Sequence, residues 1–462
     1  MSDRPEIFTL GELRASGHVH QDLRTEIREN LLAALAAGRD PWPGIFGFNR
    51  TVLPQLERAL IAGHDLVLLG ERGQGKTRLL RTLAGLLDEW SPMIEGSELN
   101  EHPFEPITEQ SKARVLTEGD RLRVIWRHRS ERYVEKLATP DTSVADLIGD
   151  VDPIRVAEGR RLGDPETIHY GLVPRSNRGI VAINELPDLA ERIQVAMLNV
   201  MEERDIQIRG YVLRLPLDVL VVASANPEDY TNRGRIITPL KDRFGAEIRT
   251  HYPLELDDEV AIIRQEGKLA ADVPSVIVEI LARYTRSLRL SPAINQGSGV
   301  SARFAIAGAE TVAAAALRRS TLRGEADAVS RIVDLGAAVD VLTGKLEFES
   351  GEEGREDAVL DHLLRMATAE AVRLHYRGLD FGPLVAALDG HITVTTGDEV
   401  TAKEFLDNLP SLDGSGLYDE IAGRLNAKND GQRASAIELA LEGLFLARRI
   451  SKDSDGGETI YG

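Results

Sequence analysis

The stretch Gly70 to Thr77, G-E-R-G-Q-G-K-T, constrains this chain more than any other. It matches G-x-x-x-x-G-K-[ST] at every defined position. It follows a short apolar run, Leu66 to Leu69, and opens a segment with helical spacing, Thr77 to Glu89. That placement suits a phosphate-binding turn. Glycines let successive backbone N–H groups converge on one centre, and a helix start adds partial positive charge. Gly70, Gly73, Gln74 and Gly75 are therefore read as a polyphosphate cradle, with Lys76 reaching the outer phosphates and the Thr77 hydroxyl on an accompanying Mg2+. The competing reading is an ordinary glycine-rich turn, and the strand before it and helix after it weigh against that.

Two further apolar strands, Ile180–Ile183 and Val219–Ser224, are each separated from their neighbours by helical stretches, including Leu189–Arg204. Fully apolar strands alternating with helices predict an α/β fold, a parallel sheet covered on both faces. Residues 91–135 read as a polar interruption of that rhythm. Within it, Arg123 to Arg132 (R-V-I-W-R-H-R-S-E-R) reads as a solvated strand or hairpin rather than a nucleic-acid site. Apolar and polar residues alternate from Glu203 to Leu215 around Gly210, which predicts an inserted β-hairpin.

At 462 residues the chain exceeds what one core usually fills. The pattern divides it into a helical extension (1–40), an α/β core (41–255), an alanine-rich helical domain (256–380) and a small C-terminal segment (381–462). The last twelve residues, Ser451 to Gly462, are expected to fray. A formal net charge of -19 repels a phosphate backbone, so no nucleic-acid partner is expected. No run of about 18 apolar residues occurs, so no membrane span is expected. The N-terminus lacks the flanks of a signal peptide, and the absence of cysteine removes disulfides and thiolate chemistry. Together these point to a cytoplasmic protein.

The second strand runs into Asn184-Glu185. Phosphate-loop hydrolases place an acidic pair there. Glu185 fits a base that polarises water, while Asn184 stands where a metal-holding carboxylate is expected. An amide oxygen can still accept from metal-bound water but carries no charge, so Mg2+ is held less strongly. Two readings stay open: hydrolysis through Glu185, or nucleotide held with little turnover. Asn226, at the tip of the third strand, is a candidate to orient the attacking water, although a turn asparagine before proline fits the same spacing. Arg243, in T-P-L-K-D-R-F, is a candidate for a cation acting on a neighbouring subunit's phosphate. Arg303, opening a helix in the alanine-rich region, is a candidate to reach the nucleotide from a lid. An isolated Asp-Arg pair or a solvated helix arginine is the bland alternative for each.

In this order the features resemble the AAA+ superfamily, in its branch with a hairpin before the sensor strand. Pro43-Gly44-Ile45-Phe46-Gly47, Pro140 to Gly149, His169 to Val173, Asn177 to Ile180, Ala225 to Glu228 and Leu240 to Gly245 resemble the motor subunit of magnesium chelatase in particular. That likeness runs over roughly residues 40–380. It implies ATP and Mg2+ as cofactors, Ile45 near the adenine, a homo-oligomeric ring of six with ATP between neighbours, and Arg243 acting in trans. It also implies a partner with a von Willebrand type A domain and, for a chelatase, a large third subunit that holds the porphyrin. MoxR-type chaperone ATPases share most of these signals and give the alternative of remodelling a protein complex. Asn184 motivates a third reading, an ATP-bound scaffold that does not hydrolyse. Activators of the alternative-sigma-factor polymerase carry a G-A-F-T-G-A loop that this sequence lacks, and no terminal helix-turn-helix is read in it.

Overall fold

The computed structural model describes residues 3–152, 154, 157, 167–202, 206–208, 211–213, 215–226, 235–295, 299–349, 351, 353–389, 392–412, 414–455 and 457–462. The chain divides into two units, Met1–His251 and Tyr252–Gly462.

The first unit begins with helices α1 (Leu10–Ala15), α2 (Leu23–Ala36) and α3 (Val52–Ile61). Strand β1 (Leu66–Leu69) leads into helix α4 (Lys76–Thr82). The later strands are β2 (Trp90–Ile94), β3 (Val124–His128), β4 (Tyr133–Leu137), β5 (Gly149–Val151), β6 (Ile168–Tyr170), β7 (Gly179–Asn184), β8 (Ile206–Ile208), β9 (Tyr211–Leu213), β10 (Val219–Ala225) and β11 (Ala246–Arg249). Five of them form one sheet in the order β11-β1-β10-β7-β4, every pair parallel.

The sheet is apolar on both sides because both are covered. Leu66, Leu68, Ile180, Ala182, Leu220 and Val222 face a core shared with Leu23, Ile27 and Leu31 of α2, Leu56 of α3 and Leu79 and Leu80 of α4. The alternate residues Val67, Leu69, Val181, Ile183, Val221 and Ala223 face a second core, shared with Ile193 and Met197 of the helix Glu191–Glu202. A strand buried twice reads as a continuous apolar run, which is why the three central strands stand out in the sequence. The inserted hairpin is present as the antiparallel pair β8–β9; Gly210 lies outside the described residues.

Three expectations are corrected here. The helix foreseen over 77–89 ends at Thr82 and tightens into a 3-10 turn, Leu83–Leu86, before the chain turns into β2. The polar stretch 91–135 is not an interruption: it supplies the antiparallel pair β2–β3 and the start of the edge strand β4. Within it, Arg132 is not solvated. It is 2% exposed and grips the Glu26 carboxylate of α2 with two hydrogen bonds of 2.7 and 2.6 Å, while its Nε donates to the Arg178 carbonyl at 2.8 Å. Residues 1–40 pack into this unit through that pair and through the apolar side of α2.

The same N-terminal stretch carries a histidine cluster. His18 Nε2 meets His102 Nε2 at 3.1 Å, His20 stacks on the His102 ring at 4.0 Å, and His20 Nε2 meets Glu105 at 2.9 Å. His102 Nδ1 accepts from the Phe104 N–H at 3.0 Å, so a neutral His102 carries its proton on Nε2 and donates to His18. Burial pushes all three imidazoles below their usual range, and the Arg178 guanidinium adds to it; Glu105 and Asp218 beside His20, and Asp88 near His18, oppose the shift without reversing it. Unfolded histidines take protons near pH 6.5 while these, held below that range, take them less readily, so their contribution is complete above about 6.5 and is lost as pH falls below it. Thermal unfolding at pH 7.5 and 5.5 should therefore show a lower midpoint at pH 5.5, with the difference reduced in His102→Gln. An equal pH effect in that variant would place the sensitivity elsewhere.

The second unit packs the helices Leu256–Glu266, Ser275–Leu290, Ala302–Arg323, Glu356–His375 and Asp430–Leu446 around one core. Alanine predominates on the buried side of Ala302–Arg323 (Ala305, Ala309, Ala313, Ala316), which lets its neighbours approach closely. The C-terminal residues do not fray. Strands β13 (Lys452–Asp455) and β14 (Glu458–Tyr461) form a hairpin that pairs with β12 (Val394–Gly397). Tyr461 is 2% exposed and its hydroxyl donates to Glu442 at 2.5 Å. One buried aromatic anchors a tail whose other residues, Ile460 and the glycines apart, are polar.

Candidate nucleotide site

The candidate site lies at the C-terminal ends of three adjacent strands, β1, β10 and β7. Chain direction alone gathers the loops there, because all three strands point the same way. The Gly70 N–H donates to the Ala225 carbonyl at 3.1 Å, so the start of the phosphate loop sits beside the tip that carries Asn226, itself 4% exposed.

The loop is held from inside. Gln74 Oε1 accepts from the Glu71 N–H at 3.1 Å and from the Thr250 hydroxyl at 2.7 Å. A Cβ on Gly70 would overlap both that amide oxygen and the Thr250 hydroxyl, which is the physical reason for glycine there. Gly75 caps α4 at φ 77°, a left-handed conformation that side chains resist. Gly73 is also left-handed, at φ 75°. Lys76 is 6% exposed, and its ammonium donates to the carbonyls of Glu71, at 2.8 Å, and Gly70. A buried cation behind a glycine-rich loop fits a polyphosphate.

The metal side is built by hydroxyls and one amide. Asn184 is buried at the end of β7. Its Oδ1 accepts from Ser224 at 2.9 Å and from the Thr77 hydroxyl at 3.4 Å, while its Nδ2 donates to Glu135 of β4 at 2.7 Å. The Thr77 hydroxyl and the Asn184 oxygen are therefore neighbours, as joint oxygen donors to Mg2+ and its waters would be. Glu185 follows at φ 56° and ψ 50°, a left-handed backbone that costs a non-glycine residue energy. Its N–H meets Ser224 at 3.4 Å and its carbonyl accepts from Asp188 at 2.9 Å.

The remaining candidates are Ile45, Arg243 and Arg303. Ile45, in the turn after Trp42, packs against the core that contains Leu79 and Leu80 of α4. Arg243 ends the helix Thr238–Arg243 and pairs with Glu202 at 2.6 Å. Arg303 belongs to the second unit, exposed at the start of Ala302–Arg323. Asn177 and Arg178, part of the family likeness, brace the sheet: Asn177 bonds the Leu99 carbonyl and the Asp218 N–H, each at 2.9 Å, and Arg178 reaches the Pro92 carbonyl at 2.6 Å. Glu135, Ser224, Arg81 and Thr250 were not singled out from sequence. Each acts through a contact between distant segments, and no local motif marks them.

Among comparisons with known proteins, the family model described as the sigma-54 interaction domain matches residues 162–243. The acetoin dehydrogenase operon transcriptional activator of Bacillus subtilis (strain 168) is 23% identical over 273 residues, 56% of this chain and 37% of that protein. The chain thus spans little more than a third of that relative's length. Among solved structures, a chain from a cryo-EM reconstruction of the complex between subunits BchI and BchD of magnesium chelatase is 22% identical, with 69% of this chain and 98% of that one covered at a TM-score of 0.37. The Thermotoga maritima Holliday junction branch migration motor RuvB is 12% identical, with 84% and 85% covered at a TM-score of 0.36. The parallel order β11-β1-β10-β7-β4, with the phosphate-loop motif directly after β1, resembles the arrangement of AAA+ ATPases, the magnesium chelatase motor among them.

Proposed function

We propose that this chain is an ATP-hydrolysing motor subunit, working in a ring, that drives metal insertion or the remodelling of a partner protein. The observation that carries this reading is the meeting of Lys76, Thr77, Asn184, Glu185 and Asn226 around one loop at the ends of β1, β7 and β10. Bound there, Mg2+ and ATP would supply the transferable phosphoryl group and its charge neutralisation. Lys76 and the loop N–H groups hold the phosphates. Thr77 and Asn184 provide oxygens to the metal side. Glu185 takes the proton of an attacking water, and Asn226 orients that water. In a six-membered ring, Arg243 would leave Glu202 and serve the neighbouring subunit's site.

A von Willebrand type A domain protein and a chelatase large subunit are the partners the chelatase likeness suggests. A MoxR-like chaperone role would use the same motor on another client. The match to the sigma-54 interaction domain favours one more reading, transcription activation. It covers β7, the hairpin and the sensor strand, parts this reading shares with the others, whereas the sequence lacks G-A-F-T-G-A. Steady-state ATP hydrolysis that requires Lys76 tests the motor reading common to all of these.

A further inference from the structure

Asn184 puts a neutral amide where this chemistry ordinarily uses a carboxylate, yet a carboxylate stands directly behind it. Glu135, on β4 beside β7, accepts from Asn184 Nδ2 at 2.7 Å. Arg81 of α4, the helix that follows the phosphate loop, donates to both Glu135 oxygens, at 2.7 and 3.0 Å. The arrangement leaves the Asn184 amide one orientation. Reversing it would set the amide oxygen against the Glu135 carboxylate and turn the NH2 group toward Thr77 and the metal side.

We propose that Glu135 is a positioning residue for the metal site: it orients the Asn184 amide so that Oδ1 faces Thr77 and polarises that oxygen for Mg2+. The inference rests on the reading of this loop as a Mg2+–ATP site. It has an unusual consequence. Restoring the common carboxylate by Asn184→Asp does not repair the site, because the new carboxylate meets Glu135 at hydrogen-bonding distance with no proton between them. The repair requires exchanging the two roles. In the double variant Asn184→Asp/Glu135→Gln, the amide on β4 donates to the carboxylate on β7, so the hydrogen bond survives with its polarity reversed.

The test reads binding rather than turnover. The full chain is titrated with ATPγS in EDTA and in Mg2+, and the ratio of the two Kd values gives the metal enhancement. Glu135→Ala and Asn184→Asp should each lower that enhancement about tenfold or more. The double variant should recover to within about threefold of wild type. Melting curves in EDTA check that each variant folds; if Glu135→Ala does not fold, the single and double variants at Asn184 decide the matter alone. An enhancement in Asn184→Asp equal to or above that of the double variant overturns the proposal, as does an undiminished enhancement in a folded Glu135→Ala. No ATPγS binding by wild type would remove the nucleotide site itself, and this proposal with it. Binding by wild type with indifferent variants removes the proposal alone.

Discussion

Glu185→Gln should bind nucleotide as wild type does and turn it over about 10²–10⁴-fold more slowly, the range a positioned general base supplies. The substitution is close to isosteric and spares the backbone contacts that fix this position, from the Glu185 N–H to Ser224 and from the Asp188 N–H to the Glu185 carbonyl. The left-handed backbone at φ 56° is retained because the side chain still branches beyond Cβ. What is lost is the ability to accept a proton. ATPγS titration and steady-state phosphate release on the same preparation separate the two effects. Loss of binding would make Glu185 a structural residue, and unchanged turnover would assign the proton to another group.

Glu26→Ala should destabilise the first unit by about 3–5 kcal/mol, the usual result of removing one partner from a buried ion pair. Arg132 would be left buried with its charge uncompensated, and the Asp88 N–H would lose its 2.7 Å acceptor as well. By contrast, the exposed pair Arg14–Asp120 has side chains 55% and 68% accessible, and breaking it should cost at most about 1 kcal/mol. Replacing both buried partners, Glu26→Met with Arg132→Met, should recover much of the loss, because no charge then remains in the core. Urea unfolding of the three variants measures this. A Glu26→Ala change below about 1 kcal/mol would mean that α2 is held by its apolar side alone.

Burial decided how much of the molecule was legible in its sequence. Strands β1, β7 and β10 are covered on both faces and read as unbroken apolar runs. Strand β4 has one neighbour, and its Tyr-Val-Glu-Lys-Leu mixes charged and apolar residues as an edge strand does, so it passed as part of a polar stretch. The tail was expected to fray as a chain terminus, when the signal that mattered was one tyrosine, Tyr461, that is buried. At the site, the motif residues were readable because their spacing is local. The partner of Asn184 was not, since Glu135 lies 49 positions earlier and is brought near only by the parallel pairing of β4 with β7. Arg132 was misread for the same reason: nothing beside it in the sequence announces that Glu26, 106 positions away, will accept its charge.

Steady-state ATP hydrolysis by the wild-type chain, in Mg2+ and in EDTA, beside Lys76→Ala, bears most directly on the account. The expected result is phosphate release that stops in EDTA and in Lys76→Ala. Release that persists undiminished in Lys76→Ala, or a wild-type chain that binds ATP with Mg2+ and never hydrolyses it, would contradict the motor reading; the second outcome would make the chain a nucleotide-held scaffold.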